Sequence, residues 1–375
     1  MSKLEKPLRV VVCGTTFGRV YLRGIAQMPE EFELAGILAR GSSHSARCAE
    51  EYHVPLYTDI DQLANVGVDM ACVVVRSTVG GGAGTELAND LLLRGIHVLQ
   101  EYPVHHNDVV KCLRSARKAT CSYRINSFYP ELDTVRSFIL TARQALQKSK
   151  AVYIDAACSL QVLFPLVDIL GQSLGGFRPW SFLLASNPVS EDPFCSLSGQ
   201  IRGIPVSLRV QNQINPADPD NHTHLLHRIV LGTNSGSLML TDTHGFVLWN
   251  PRMHVERETD GILALDGSDP FFSLAVTEPV TPIKNITFTS VFNGLWTEGI
   301  KRSLRRFRET VLAGKEDQQL AQYQLTACQV WQDIGLQLGP ARIIAGQSPN
   351  PLGLAGFQEA GSENNKEGRA VSKKS

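Results

Sequence analysis

Short β-branched runs alternate with helical patterns along the first 125 residues, and this alternation limits the fold more than any other feature. The predicted strands are LRVVVCG (8–14), FELAGILAR (32–40), DMACVVVRS (69–77), IHVLQEYP (96–103) and CSYRINSFY (121–129). Apolar strands separated by helices imply a parallel sheet with right-handed crossovers. The pattern therefore predicts an α/β fold whose N-terminal domain, over residues 1–130, is a Rossmann-type doubly wound parallel sheet.

The pattern changes after a predicted linking helix near residues 131–148. The runs AVYIDAACSL, PVSLRVQNQIN, HRIVLGTNSGSLMLTDTHGFVLWN and NITFTSVF predict strands joined by turn residues, followed by helices near 299–313 and 317–338. We expect a C-terminal α+β domain with a mainly antiparallel sheet over 131–345. The tail from 346 to 375, rich in Gly, Ser, Asn and Lys, is expected to be disordered.

The composition narrows the classes of partner. Hydrophobic residues make up 43% of the chain, charged residues 19%, and the formal net charge is zero. We therefore expect neither a nucleic-acid groove nor an anionic membrane surface. No apolar run reaches the roughly 18 residues of a membrane helix. Eight cysteines without a C-x-x-C pair indicate reduced thiols, so a cytoplasmic protein is expected.

The first strand runs into CGTTFGRVYL, a candidate nucleotide turn. A dinucleotide site needs a tight glycine turn so that backbone amides at a helix N-terminus meet the pyrophosphate. An ungapped match to G-x-G-x-x-G uses Cys13, Thr15 and Gly18, whereas a shorter loop uses Gly14 and Gly18. The candidate cofactor residues are Cys13, Gly14, Thr15, Thr16, Phe17 and Gly18. The alternative is a purely structural turn.

The second and third strands end in further candidate cofactor residues. The second strand is followed by Arg40, Ser42 and Ser43 rather than by a carboxylate. These side chains suit a 2′-phosphate, so the sequence favours binding of NADPH over NADH. A solvated loop containing an arginine is the alternative. The third strand ends at Arg76, Ser77 and Thr78, which begin the glycine-rich loop RSTVGGGAGT. The loop either contacts a ligand or is simply mobile, and the sequence does not decide between these alternatives.

The triplet EYP, residues 101–103, resembles a known motif. With this nucleotide half, the chain resembles the glucose–fructose oxidoreductase/inositol dehydrogenase superfamily, whose usual triplet is Glu-Lys-Pro. Tyr102 stands where the superfamily has lysine. The D-x-x-x-H motif of its sugar-acting members falls on Gln161 and Pro165, or on Asp168 and Gln172 in another register. We therefore do not expect polyol oxidation.

One branch of the superfamily is more similar, the thiazolinyl imide (imine) reductases of siderophore biosynthesis. The similar stretches include VVVRSTVGGGAGTELA, VLQEYPVHH, RINSFYP and GFVLWN, and the resemblance covers most of 8–340. It implies NADPH-dependent reduction of a thiazoline C=N on an intermediate bound to a nonribosomal peptide synthetase carrier domain. It also implies a homodimer, for which residues 201–250 are the expected interface. This branch has a histidine where the chain has Tyr102.

Two tyrosines are the catalytic candidates. Tyr102 and Tyr129 end neighbouring predicted strands, so both belong at the carboxyl edge of the sheet. A phenol donates a hydrogen bond to an imine nitrogen and delivers a proton as negative charge develops. The alternative for Tyr102 is packing against Pro103. The resemblance implies that Glu101 positions the nicotinamide or its ribose.

Histidines give weaker signals. His105 and His106 are either proton carriers or capping residues of the next helix. His222, His224 and His227 lie near two aspartates, but their spacing lacks the i, i+4 geometry of a helical zinc pair. We expect a structural strand there and no metal. Alternatives to an imine reductase are another oxidoreductase of the superfamily and a non-catalytic nucleotide-binding sensor.

Overall fold

The structure is a computed structural model. It describes residues 6–75, 82–185, 192–265, 267, 269–282, 286–314, 317–345, 349–355 and 357. The predicted tail, 346–375, lies mostly outside these residues. Arg76, Ser77 and Thr78 of the predicted cofactor site lie outside them as well.

The N-terminal sheet has six strands, all paired in parallel. They are β1 (Leu8–Cys13), β2 (Phe32–Leu38), β3 (Leu56–Tyr57), β4 (Met70–Val73), β5 (His97–Glu101) and β6 (Tyr123–Asn126). Their order is β3-β2-β1-β4-β5-β6, which is the doubly wound order and confirms the predicted fold. Strand order reverses between β1 and β4, so ligands of such folds bind outside the carboxyl ends of these two strands.

Four helices connect these strands. They are α1 (Gly18–Ala26), α2 (Ser43–Glu51), α3 (Ala83–Leu93) and α4 (His106–Lys118). Ser42 begins α2 by accepting a hydrogen bond from the amide of Ser45 at 3.2 Å. His105 begins α4 in the same way, accepting from the amide of Asn107 at 3.3 Å. Both caps satisfy amides that the first helical turn leaves without a partner.

The second sheet has eight strands and is mainly antiparallel, as predicted. Its strands are β7 (Ala151–Ser159), β8 (Trp180–Leu184), β9 (Phe194–Ile201), β10 (Ile204–Gln211), β12 (His227–Thr233), β13 (Gly236–Leu240), β14 (Val247–Pro251) and β15 (Glu278–Pro279). Outside this sheet, β11 (Gln213–Ile214) pairs with β16 (Arg342–Ile343). The order is β15-β14-β13-β12-β7-β10-β9-β8, with a single parallel pair between β7 and β10 within the described ranges. Alternate residues of β10 are buried, so one face of this sheet packs on the core.

The helices of the second half cover this sheet and also contact helices of the N-terminal half. They are α5 (Asp133–Lys148), α6 (Leu163–Leu174), α7 (Phe288–Ser290), α8 (Trp296–Ala313) and α9 (Gln318–Leu338). Helix α5 packs on β12, β13 and β14, and α6 packs on α5. Helix α8 contacts α1, and α9 contacts both α4 and α6. The two C-terminal helices therefore tie the halves of the chain together.

The run NITFTSVF, predicted as a strand, forms no strand where the structure describes it and is helical from Phe288 onward. Thr287 caps α7, and its side chain and that of Ser290 form a reciprocal capping box. A short π-helical turn, Val291–Leu295, then leads directly into α8. The strand prediction was wrong because the β-branched pattern was overridden by this cap. Across the described ranges, no helix combines the length and the apolar character needed to cross a membrane.

Candidate active site

The turn between β1 and α1 has the geometry of a nucleotide-binding turn. Gly14 has a φ of 91°, and a Cβ there would lie 2.7 Å from the carbonyl oxygen of Val74. Only glycine fits that position. A Cβ on Gly18 would lie 3.3 Å from Val12, so this second glycine starts α1 close against the sheet. The geometry of Gly14 and Gly18 agrees with the shorter of the two predicted alignments, and their contact with a cofactor stays a prediction.

The residues of this turn fit a pyrophosphate. The first turn of α1 has no side-chain cap and no acidic residue. The amide of Val20 donates to the carbonyl oxygen of Phe17 at 3.0 Å, and the amides that precede Val20 in this turn are available to an anion. Thr15 is buried and Thr16 is exposed at the turn. The thiol of Cys13 is buried in the core, and burial raises its pKa to about 12, so only the backbone of Cys13 faces this edge.

The predicted 2′-phosphate residues lie beside this turn. Arg40, Ser42 and Ser43 are exposed between β2 and α2. His44, which the sequence analysis did not single out, places a ring nitrogen 3.3 Å from the carbonyl oxygen of Thr15. This contact joins the two loops. Its sequence signal is weak, because a histidine in the first turn of a helix is common.

Glu101 ends β5 within a hydrogen-bonded network. The hydroxyl of Tyr21 donates to its carboxylate. The amide of Asn126 donates to the Tyr21 oxygen at 2.5 Å and to Glu101 at 3.4 Å, while Ser303 donates to Asn126 at 2.9 Å. Burial raises the pKa of Glu101 to about 8 although these bonds lower it. Tyr21, Asn126 and Ser303 were missed in the sequence because their spacing there gives no sign of this network.

The raised pKa of Glu101 predicts a pH-dependent stability. In the folded state Glu101 keeps its proton up to about pH 8, whereas unfolding returns its pKa to the ordinary value of 4.5. Folding therefore binds a proton in this window, and the free energy of unfolding falls as pH rises through it. Between pH about 5.5 and 7 the slope approaches about 1.4 kcal/mol per unit, and it declines to about half that value at pH 8. We expect Glu101→Gln to flatten this part of the curve, measured by urea unfolding at matched pH. Equal slopes for both proteins would contradict the assignment.

Tyr129 is placed by a γ-turn. Its amide donates to the carbonyl oxygen of Ser127 at 2.7 Å. The residue between them, Phe128, has φ 59° and ψ −60°, a conformation that non-glycine residues rarely adopt. The ring of Phe128 is buried and lies edge-on to Tyr129 and to Trp296. Strained backbone of this kind is concentrated at functional sites.

Tyr102 and Tyr129 lie together, as their places at the strand ends predict. Their ring centroids are 6.3 Å apart in an edge-to-face arrangement, and each hydroxyl shifts the pKa of the other. Tyr102 also stacks on Phe164 at 6.0 Å, so its ring has a packing role beyond the predicted contact with Pro103. Tyr129 lies edge-on to His227 at 5.0 Å.

Both tyrosine hydroxyls remain protonated at neutral pH. Burial raises the pKa of Tyr102 and of Tyr129, and nearby carboxylates of Glu101 and Asp220 raise both further. The hydrogen bond between them lowers the pKa of Tyr129 and raises that of Tyr102. These opposite shifts favour negative charge on Tyr129 over negative charge on Tyr102. The pair offers hydrogen-bond donors and no base.

The remaining predicted histidines contact the protein itself. Besides His105 in its capping position, His106 lies 3.2 Å from the side chain of Gln329. His222 lies 2.9 Å from the carbonyl oxygen of Gln213. His227 is fully buried in β12. Within the described residues no three His, Cys, Asp or Glu side chains are grouped to hold a metal.

The positions of the sugar-dehydrogenase motif make structural bonds. Gln161 donates to the carbonyl oxygen of Pro219 at 2.7 Å. Asp168 is buried and accepts from Tyr323 at 2.6 Å, from Gln172 at 3.0 Å and from Ser127. Asp168 thus joins α6 to α9 and to the segment that carries Tyr129.

Two family models match the chain. Residues 8–127 match the oxidoreductase family, NAD-binding Rossmann fold, and residues 149–250 match the thiazolinyl imine reductase Irp3-like C-terminal domain. These matches confirm the resemblance predicted from the sequence at the level of the superfamily and of the Irp3-like domain. No match was found among curated proteins.

Solved structures share the fold at low identity. A variant of KijD10, a 3-ketoreductase from Actinomadura kijaniata in complex with TDP-benzene and NADP, has a TM-score of 0.64 at 16% identity, covering 90% of this chain and 100% of that one. An oxidoreductase from Agrobacterium radiobacter in complex with NAD⁺, L-tartaric acid and magnesium has a TM-score of 0.62 at 11% identity, covering 87% and 94%. At these identities the likeness establishes the fold alone.

Proposed function

Because this chain is an NAD(P)-dependent oxidoreductase that joins an NAD-binding Rossmann domain of the oxidoreductase family to an Irp3-like C-terminal domain, we propose that it reduces a thiazoline C=N to a thiazolidine with NADPH. The observation that carries the proposal is the adjacent pair of Tyr102 and Tyr129, with ring centroids 6.3 Å apart, at the carboxyl edge of the sheet. Two neutral donors suit an imine nitrogen, which must gain a proton. They provide neither the lysine nor the histidine of polyol oxidation.

Bound NADPH supplies the hydride, which the ring carbon of the C=N bond accepts. The hydroxyl of Tyr129 donates its proton to the ring nitrogen, and the product carries new C–H and N–H bonds. Tyr102 stabilises the oxygen of Tyr129 through their hydrogen bond as that proton leaves. The stacked rings of Phe164 and Tyr102 and the buried ring of Phe128 exclude water around the pair.

Arg40, Ser42 and Ser43 support NADPH as the preferred cofactor. The three exposed side chains offer a guanidinium and two hydroxyls beside the nucleotide turn. Such groups bind a phosphate through charge-assisted hydrogen bonds. The N-cap role of Ser42 orients this loop, because its hydroxyl accepts from the amide of Ser45 at 3.2 Å.

Arg40→Ala is expected to weaken NADPH binding about 10-fold or more, because a hydrogen bond to a charged group is lost. NADH binding should change little, since NADH lacks the 2′-phosphate. The measurement is the dissociation constant of each cofactor by calorimetry. Arg114→Ala, at an exposed arginine of α4, serves as the control. Equal losses for NADPH and NADH would remove Arg40 from the site.

The substrate is proposed to be a siderophore intermediate carried as a thioester on a nonribosomal peptide synthetase carrier domain. The Irp3-like match of residues 149–250 supports this choice. A homodimer is proposed through the face of the second sheet opposite the core. Exposed Pro205, Ser207 and Arg209 alternate there with buried residues of β10, leaving this face uncovered in a single chain.

The decisive experiment follows NADPH absorbance with a soluble thiazoline ester or thioester analogue, repeated with NADH. Oxidation that requires the analogue and prefers NADPH would support imine reduction. Binding of NADPH without turnover would favour another oxidoreductase substrate or a non-catalytic sensor. Absence of binding for both cofactors would refute the proposed cofactor site.

A further inference from the structure

The connection between β13 and β14, residues 241–246, is a rigid turn beside the tyrosine pair. The amide of Phe246 donates to the Thr241 hydroxyl at 2.8 Å, and the amide of His244 donates to Asp242 at 3.2 Å. A Cβ on Gly245 would lie 2.5 Å from the Thr241 hydroxyl, so the turn closes too tightly for a larger residue. The side chain of His244 therefore projects from a fixed backbone.

The tautomer of His244 is set by Trp296. The indole Nε1 of Trp296 can only donate, and it lies 3.1 Å from Nε2 of His244. That ring nitrogen must therefore accept. Burial lowers the pKa of His244 to about 4, so the ring is neutral at ordinary assay pH. The single ring proton then resides on Nδ1.

His227 provides the contrast. Its Nε2 lies 2.9 Å from the carbonyl oxygen of Val162, and its Nδ1 lies 2.9 Å from the hydroxyl of Thr243. Both of its nitrogens are occupied, which is the pattern of a structural histidine. Among the residues that the structure describes, no protein group accepts from Nδ1 of the neighbouring His244. The Nδ1–H of His244 is therefore available to donate to a bound molecule.

Three interactions link the turn to the proposed site. Trp296 packs 5.7 Å from Phe17 of the nucleotide turn and 5.7 Å from Phe128 of the γ-turn. Thr243 bonds to His227, the ring that lies against Tyr129. The carboxylate of Asp242 is close enough to help raise the pKa of Tyr129. His244 is thus linked to the cofactor turn through Trp296, and its neighbour Thr243 is linked to Tyr129 through His227.

We infer that the Nδ1–H of His244 donates a hydrogen bond to the carbonyl oxygen of the substrate's thioester, or of the ester in a soluble analogue. This inference rests on the proposed function. A carboxyl-derived group next to the ring nitrogen places its carbonyl oxygen close to the atom that Tyr129 protonates. Tyr129 then donates to the ring nitrogen, and His244 donates to the carbonyl oxygen. His244 is a positioning residue that sets ring orientation.

The test compares a thiazoline ester with a matched thiazoline that has an alkyl group in place of the ester. His244→Ala should lower kcat/KM about 10-fold for the ester, because one hydrogen bond is lost, and leave the alkyl compound nearly unchanged. His244→Asn, whose amide N–H replaces Nδ1–H, should retain most of the activity. Trp296→Phe should give a smaller loss in the same direction. His254→Ala, at an exposed histidine, is the control.

Equilibrium binding of both compounds to the NADPH complex gives a second readout. Selective weakening of ester binding in His244→Ala supports the inference whether or not the wild-type protein reduces either compound. A wild-type protein that reduces neither compound would refute the proposed function, but not the inference about His244. Equal losses for the ester and the alkyl compound would assign His244 a purely structural role. Unchanged binding and kcat/KM for the ester would overturn the inference.

Discussion

Tyr129→Phe is expected to lower turnover of a thiazoline substrate about 100-fold or more, the usual range for loss of a general acid. The ring would keep its edge-to-face contacts with Tyr102, Phe128 and His227, because only the hydroxyl is removed. Affinity for NADPH should therefore remain nearly intact. Single-turnover kinetics with saturating NADPH would measure the chemical step, and calorimetry would measure the cofactor affinity.

Tyr102→Phe is the matched control for this substitution. It keeps the stacking on Phe164 and removes the hydroxyl that supports Tyr129. We expect a smaller loss of turnover, because the remaining phenol still donates its proton directly. If Tyr129→Phe leaves turnover unchanged, the donor must be Tyr102, a histidine or water. If Tyr102→Phe causes the larger loss, the two roles are reversed.

Phe128→Ala is expected to lower the free energy of unfolding by about 3–5 kcal/mol, as for other buried phenylalanines. Its side chain is 1% exposed and packs against Phe17, Tyr129 and Trp296. Turnover should fall as well, because the γ-turn that places Tyr129 loses its packing. Urea unfolding monitored by circular dichroism would give the free energy.

Phe128→Gly separates packing from backbone strain at the same position. Glycine adopts the observed φ of 59° without a Cβ penalty, whereas alanine retains that penalty. We expect the glycine variant to be more stable than the alanine variant by about 1 kcal/mol. At positions with ordinary backbone angles, the alanine variant is the more stable of the two. A less stable glycine variant would show that the turn is not strained.

The fold was largely predictable because its signals are local and repeated. Buried runs such as β4 are apolar along their whole length, which is typical of parallel strands covered on both faces. Amphipathic spacing also predicted α8 and α9 to within a few residues. Their partners were not predictable, because periodicity identifies the apolar face of a helix and not the surface that it covers.

The site was predictable only where the topology alone places residues. Tyr102 and Tyr129 follow neighbouring parallel strands, so their proximity follows from the sheet. Asn126 accepts from the amide of Phe128 at 3.2 Å, which is a local turn signal, but the γ-turn itself contains no glycine and its strain is maintained by tertiary packing. Tyr21 occupies an ordinary apolar position of α1, and its bond to Glu101 links residues 80 apart. Such long-range bonds have no local sequence signature.

The bond from Ser303 to Asn126 has a consequence for biosynthesis. The Rossmann half is translated first, yet the polar network around Glu101 includes a hydroxyl from α8, 177 residues downstream of Asn126. A nascent chain halted before α8 would leave that amide oxygen without its Ser303 partner and one side of α1 without its covering helix. The half that emerges first from the ribosome is thus completed by a helix made 170 or more residues after Asn126.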